Sequence, residues 1–188
     1  MVQIYDGWLV TARHCPSPNF NARPNGVAID LLVIHNISLP AGEFGTGCIE
    51  DLFLNCLDCT QHPSFAGLES LQVSAHCLIE RNGQVVQFVP FDQRAWHAGV
   101  SQYQGRSDCN HFSIGIELEG TDHIPYGDAQ YEALAELTRA LIAAYPGITP
   151  ERIVGHSDIA PQRKTDPGPA FDWTRYRRMI GGCALLNE

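Results

Sequence analysis

Apolar and polar positions along this 188-residue chain fall into a succession of short patterned segments. Leu31-Leu32-Val33-Ile34 is a continuous apolar run after turn-forming residues, the pattern of a strand buried on both faces, and it ends at His35. Residues 75–79 and 85–89 are β-like runs separated by Arg81-Asn82-Gly83-Gln84, whose Asn-Gly pair marks a hairpin. Residues 112–119 alternate and predict a further strand. Residues 128–144 carry Tyr131, Leu134, Leu137, Leu141 and Ile142 at helical spacing, with Asp128 placed to cap the start and Tyr145-Pro146-Gly147 to end it. Weaker patterns predict a short helix over 48–57, a strand over 153–155 leading to His156, and a last helix over 172–180. Residues 62–71 and the stretch 160–170, with three prolines and a glycine, read as loops. Residues 90–108, rich in Gly, Gln, Ser and aromatics, form a long loop of the kind that often carries function. The first 27 residues, with three prolines and several Asn, read as a surface arm laid over the rest.

Strands and helices interleave, yet the hairpin is antiparallel. The expected class is therefore α/β, with a mixed central β-sheet flanked by α-helices and residues 1–188 forming a single domain. That length needs neither metal nor disulfide merely to fold. Apolar residues at 44% and charged residues at 18% are globular composition. The net charge of -9 and scattered basic residues, apart from Arg175, Arg177 and Arg178, argue against nucleic acid and against an anionic membrane surface. No signal-peptide or membrane-spanning run is visible, so a cytoplasmic location is expected. Seven cysteines at irregular spacing do not suggest a secreted disulfide framework. Cys56 and Cys59 form a lone C-x-x-C, which allows a redox or metal role, but reduced thiols are the preferred reading.

Among eight histidines, two stand out by context. His35 and His156 each follow a strand, so both side chains can project from one sheet end. Asp166 lies ten positions after His156, in a Pro- and Gly-stiffened stretch. Two imidazoles and a carboxylate form a catalytic zinc set that leaves a fourth position open. From spacing alone, each residue has an ordinary alternative: a hydrogen-bonded structural histidine, or a turn-forming aspartate. His76 reads as a core or supporting histidine, and His62, His111 and His123 as surface residues.

Longer motifs carry more. VIHNISLP (33–40), SAHCLIERNGQVVQFVPFDQRAWHAGVSQYQG (74–105), FSIGIELEGTD (112–122) and GHSDIAPQRKTDPGPAFDW (155–173) resemble the AmpD family, the cytosolic 1,6-anhydro-N-acetylmuramyl-L-alanine amidases of cell-wall recycling, within the wider N-acetylmuramoyl-L-alanine amidase and peptidoglycan-recognition fold. The resemblance implies one Zn2+ per chain on His35, His156 and Asp166, an acid/base at Glu117 and a transition-state lysine at Lys164. It implies hydrolysis of the amide between the lactyl group of 1,6-anhydro-N-acetylmuramic acid and L-alanine, with an anhydro-muramyl peptide as the partner and the chain acting as a monomer. The alternative on the same fold is a non-catalytic sensor of peptidoglycan fragments. Without the resemblance, Glu117 reads equally well as a solvent-facing carboxylate on an edge strand, and Lys164 as a surface lysine. Asn36 is a candidate donor to substrate carbonyls, Trp96 a candidate platform for a sugar ring, and His97 a further binding candidate in the long loop. Enterobacterial members carry arginines where this chain has Gln72 and Asp108. That leaves the grip on the peptide's acidic end open, with Arg106 as a substitute cation.

Overall fold

A computed structural model describes residues 2–181. Its centre is a six-stranded sheet. In chain order the strands are β1 (Arg13–His14), β2 (Leu31–Ile37), β3 (Cys77–Ile79), β4 (Val85–Gln87), β5 (Ser113–Glu119) and β6 (Ile153–Gly155), and in space they run β6-β2-β5-β3-β4-β1. The pairs β6–β2, β2–β5, β5–β3 and β4–β1 are parallel, whereas β3 and β4 form the antiparallel hairpin. The helices are α1 (Cys48–Phe53), α2 (Asp128–Ala144), α3 (His156–Ile159) and α4 (Trp173–Met179). This is the mixed sheet with flanking helices that the sequence predicts. No helix among the described residues is long and apolar enough to cross a membrane.

The two long inner strands, β2 and β5, follow the strict two-residue alternation of a pleated strand. Leu32 and Ile34 of β2 and Ile114, Ile116 and Leu118 of β5 pack with Tyr131, Leu134, Leu137 and Leu141 of α2 and Tyr176 of α4. Each such side chain, fully buried, contributes about 1.5–3 kcal/mol relative to exposure. The odd-numbered residues point to the other face, where Leu31 and Val33 meet Ala98, Cys109 and Phe112. His35 and Glu117 share that parity, so the register that buries the apolar core also sends both to the face opposite α2.

The structure corrects several sequence expectations. β2 does not stop at His35 but continues to Ile37, because its ladder with β5 runs on to the Ile37–Glu119 pair. All of β5 is buried, so Glu117 lies in a central strand and not at an edge. Helix α1 ends at Phe53, four residues early, as Asn55 adopts a left-handed conformation with φ 60°. Asp128 opens α2 but does not cap it. The cap is Gly127, whose N–H donates to Gln130 Oε1 at 3.1 Å. The N-terminal arm is woven in: Arg13–His14 extends the sheet, Phe20–Ala22 pairs with Gln93–Ala95, and Ser17 and Asn19 are buried. The second pairing, with the Gln102–Tyr103 and Arg106–Ser107 ladder, also gives the predicted loop 90–108 strands of its own.

Candidate active site

A cleft of about 440 Å³ opens on the face opposite α2, and Asn36, Trp96, His97, Glu117, His156, Lys164 and Asp166 are among its lining residues. His35 lies beneath them. Its Nδ1 is 2.9 Å from His156 Nδ1 and 3.1 Å from Asp166 Oδ2, and His156 Nδ1 is 3.1 Å from the same oxygen. All three residues are buried. His35 is delivered by β2, an inner strand of the sheet. His156 is the first residue of α3, directly after strand β6. Asp166 comes from the loop beyond α3, which is tied back by Ser157 N–H donating to the Asp166 carbonyl at 3.0 Å.

The outer contacts of the imidazoles decide what this triangle can hold. His156 Nε2 lies 3.1 Å from the Ala98 carbonyl, which only accepts, so Nε2 carries the proton and Nδ1 presents a lone pair. Arg163 lies 3.4 Å from that nitrogen, but its NH2 group is committed to the carbonyls of Ala98 and Val100 at 2.6 and 2.9 Å. His35 Nε2 lies 2.9 Å from His97 Nδ1, so donation there leaves the His35 Nδ1 lone pair facing inward as well. Burial holds the His35 ring uncharged, lowering its pKa to about 4. Two lone pairs and a carboxylate oxygen thus converge within about 3 Å, an arrangement that repels itself unless a cation sits between them. Tetrahedral zinc with bonds of about 2.0–2.1 Å sets its donors roughly 3.3 Å apart, close to this triangle, and the set leaves a fourth position free.

Glu117 stands opposite His35 in the β2–β5 ladder. Its Oε2 is buried without a hydrogen-bond partner. Burial first, and the Asp166 charge second, push its pKa well above the ordinary value, while Lys164 acts in the opposite sense. Lys164 is half-buried on the cleft wall.

The remaining candidates divide. Asn36 lines the cleft, but its amide donates to Asp122 Oδ1 at 2.9 Å and to the Pro167 carbonyl at 3.1 Å, so it also holds the Asp166 loop. Trp96 lies half-buried on the cleft wall, its indole N–H donating to Asn21 Oδ1 at 3.0 Å. His97 is buried between His35 and Ser113 Oγ, braced beneath the cleft wall and not offered freely to a substrate. Arg106 is not among the cleft-lining residues. Its guanidinium is paired with Asp30 at 2.7 Å and covers the Phe112 ring, so the proposed substitute cation is spent elsewhere. The cations that do line the cleft are Arg163 and Lys164, and Gln72 lines it as well. His76 is a core histidine: its Nδ1 accepts from Gly115 N–H at 3.0 Å and its Nε2 meets the Gln93 carbonyl at 3.1 Å. Cys56 is exposed and Cys59 half-buried. Neither belongs to a metal-binding cluster among the described residues, and Cys183 lies outside them. Sequence reasoning missed Asn110 and Arg163, which fasten the segment behind the two histidines. No local pattern marks a residue whose role is to hold backbone from a distance.

The family model for N-acetylmuramoyl-L-alanine amidase matches residues 25–169, which include every residue of this cleft. The chain belongs to that family. It is 62% identical over 177 residues to the 1,6-anhydro-N-acetylmuramyl-L-alanine amidase AmpD of Escherichia coli, covering 94% of this chain and 96% of that one. The AmpD of Haemophilus influenzae is 56% identical over 173 residues, with 92% and 94% covered. Among solved structures, a selenomethionine AmpD derivative superposes with a TM-score of 0.92 at 59% identity, covering 94% of this chain and 98% of that one. The E. coli amidase AmiD, solved with the substrate anhydro-N-acetylmuramic acid-L-Ala-D-gamma-Glu-L-Lys, gives 0.59 at 33% identity and covers 95% of this chain and 65% of that one. The fold and the amidase activity expected from the motifs are those of this family.

Proposed function

We propose that the chain is a zinc-dependent hydrolase that cleaves the amide between the lactyl group of 1,6-anhydro-N-acetylmuramic acid and L-alanine of the stem peptide, in cytoplasmic peptidoglycan recycling. The observation that carries this reading is the convergence of His35 Nδ1, His156 Nδ1 and Asp166 Oδ2 beside the unpartnered Glu117 carboxyl on one cleft floor. The substrate class is supported by the names of relatives that match this chain almost end to end.

His35, His156 and Asp166 would hold the metal through neutral imidazoles and one carboxylate. A zinc ion there would supply Lewis acidity, to polarise a carbonyl and to acidify a water near neutral pH. Glu117, whose buried carboxyl holds a proton more tightly than an exposed one, takes the proton of the attacking water and returns it to the alanine nitrogen as the C–N bond breaks. Lys164, on the cleft wall, offers its ammonium to the carbonyl oxygen as that oxygen gains negative charge. Trp96 provides an aromatic wall against which the apolar face of a sugar ring can lie.

A mass-spectrometric assay of anhydro-muramyl tripeptide against ordinary muramyl tripeptide, with and without a chelator, tests the proposal. Release of the peptide from the anhydro sugar, abolished by chelator and restored by zinc, is the expected result. Unchanged cleavage after complete metal removal, or no cleavage of either compound by zinc-loaded protein, overturns it.

A further inference from the structure

Both histidines of the triad are braced by two consecutive residues of one segment. The His97 ring meets His35 Nε2 through Nδ1 at 2.9 Å, and the Ala98 carbonyl meets His156 Nε2 at 3.1 Å. The backbone N–H groups of these same two residues donate to a single atom, Asn110 Oδ1, at 3.1 and 2.8 Å. We propose that the His97–Ala98 dipeptide, clasped by Asn110, is one shared device that sets the tautomer and ring direction of both metal-binding histidines, and that Asn110 is its positioning residue. This rests on the metal reading above and adds to it which residues outside the ligand set control the site.

The hydrogen-bond directions are consistent throughout. For His35 to face the triad with a lone pair, its Nε2–H donates to His97 Nδ1. His97 then carries its own proton on Nε2, which lies 3.1 Å from Ser113 Oγ, a group able to accept it. The fit around His97 is built into the sheet. Gly115 lies two residues before Glu117 on the same face of β5, and a methyl group there would overlap the His97 imidazole. Glycine at 115 therefore opens the slot that brings this ring beside His35. Asn110 sits in the 3-10 turn Cys109–His111 just before β5, anchored because its carbonyl accepts from the half-buried Arg23 guanidinium at 3.1 Å. The clasp thus lines the cleft, and its side-chain oxygen bonds the backbone of His97 and Ala98 and none of the three metal donors. Partners of this kind fix ligand orientation, and losing one typically costs about 10–100-fold in metal affinity.

The test measures zinc affinity of metal-free protein by competition with a chromophoric chelator, together with the visible spectrum of the cobalt-substituted protein and a thermal melt. Asn110→Ala should weaken zinc binding by about 10–100-fold and shift the cobalt spectrum, whereas Asn110→Asp, which keeps an acceptor oxygen in place, should stay close to wild type. His97→Phe, which keeps a ring but loses the acceptor, should weaken zinc as Asn110→Ala does, and His97→Asn, with an oxygen near the Nδ1 position, should recover much of the loss. Asn110→Ala that binds zinc within twofold of wild type with an unchanged cobalt spectrum overturns the proposal. So does a lowered melting temperature with unchanged affinity, which marks a purely structural role. If Asn110→Ala does not fold, the His97 pair decides on the same criteria. Wild-type protein that binds no zinc defeats the metal reading itself, a result separable from equal binding by wild type and variants.

Discussion

Glu117 and His35 face each other across adjacent parallel strands, at the same level of one ladder and on the same side of the sheet. The carboxyl is buried, lacks a partner on Oε2, and holds its proton more tightly than an exposed glutamate. An unpaired buried polar group of this kind costs about 1–3 kcal/mol. The protein thus carries a destabilising group at the position proposed for proton transfer.

Glu117→Gln is therefore expected to separate function from stability. Turnover of the anhydro-muramyl peptide should fall by about 10²–10⁴-fold with zinc content unchanged. Because the raised pKa makes ionisation of Glu117 in the folded state unfavourable, its penalty grows as pH rises above the ordinary carboxylate range. Metal-free Glu117→Gln should accordingly melt higher than metal-free wild type at pH 7–8, by roughly 2–4 °C for each kcal/mol relieved. Equal melting temperatures together with near wild-type turnover would sink the assignment.

His156→Ala leaves two donors for three places and opens a cavity against Ala98. Elemental analysis should find zinc lost along with activity. Full metal content in the purified variant would remove His156 from the ligand set.

Lys164 is assigned to the transition state more than to substrate binding. Lys164→Met should therefore lower kcat by about 10²–10³-fold with a small change in KM. A rise in KM at constant kcat would instead make Lys164 a ground-state contact.

Acid should weaken the metal-free protein through its buried neutral histidines. Burial lowers the pKa of His76 to about 3, against about 6.5 when unfolded, so the unfolded chain takes up the proton first. Stability contributed by the neutral ring is fully present above pH 6.5 and is lost as pH falls from there towards 3. For metal-free Glu117→Gln, in which the opposing relief of the Glu117 penalty is absent, a melting temperature that drops steadily between pH 6.5 and 4.5 is expected by scanning fluorimetry. A flat profile over that interval would contradict it.

Much of the fold could be read where patterns were long. The Leu31–Ile34 run, the Asn82-Gly83 hairpin and the helix after Asp128 all appear because a strand buried on both faces, a tight turn and a one-sided helix each impose a distinct period. The arm did not reveal its pairing, since two- and three-residue strands such as Arg13–His14 and Phe20–Ala22 are too short to show alternation. The site was legible as residue types but not as a geometry. His35, His156 and Asp166 are up to 131 positions apart, and only long motifs tie such residues together. The pairing of Arg106 with Asp30 was not legible either, since the two lie 76 positions apart.

The three donors rest on supports of unequal firmness. His35 belongs to an inner strand of the sheet, whose amides should exchange with solvent only when the whole molecule opens. Asp166 hangs from a surface loop, fastened by the Ser157 N–H and by the Asn36 and Tyr126 side chains on the Pro167 carbonyl. A metal held by these three donors would therefore leave most easily through local opening of that loop, with the core still closed.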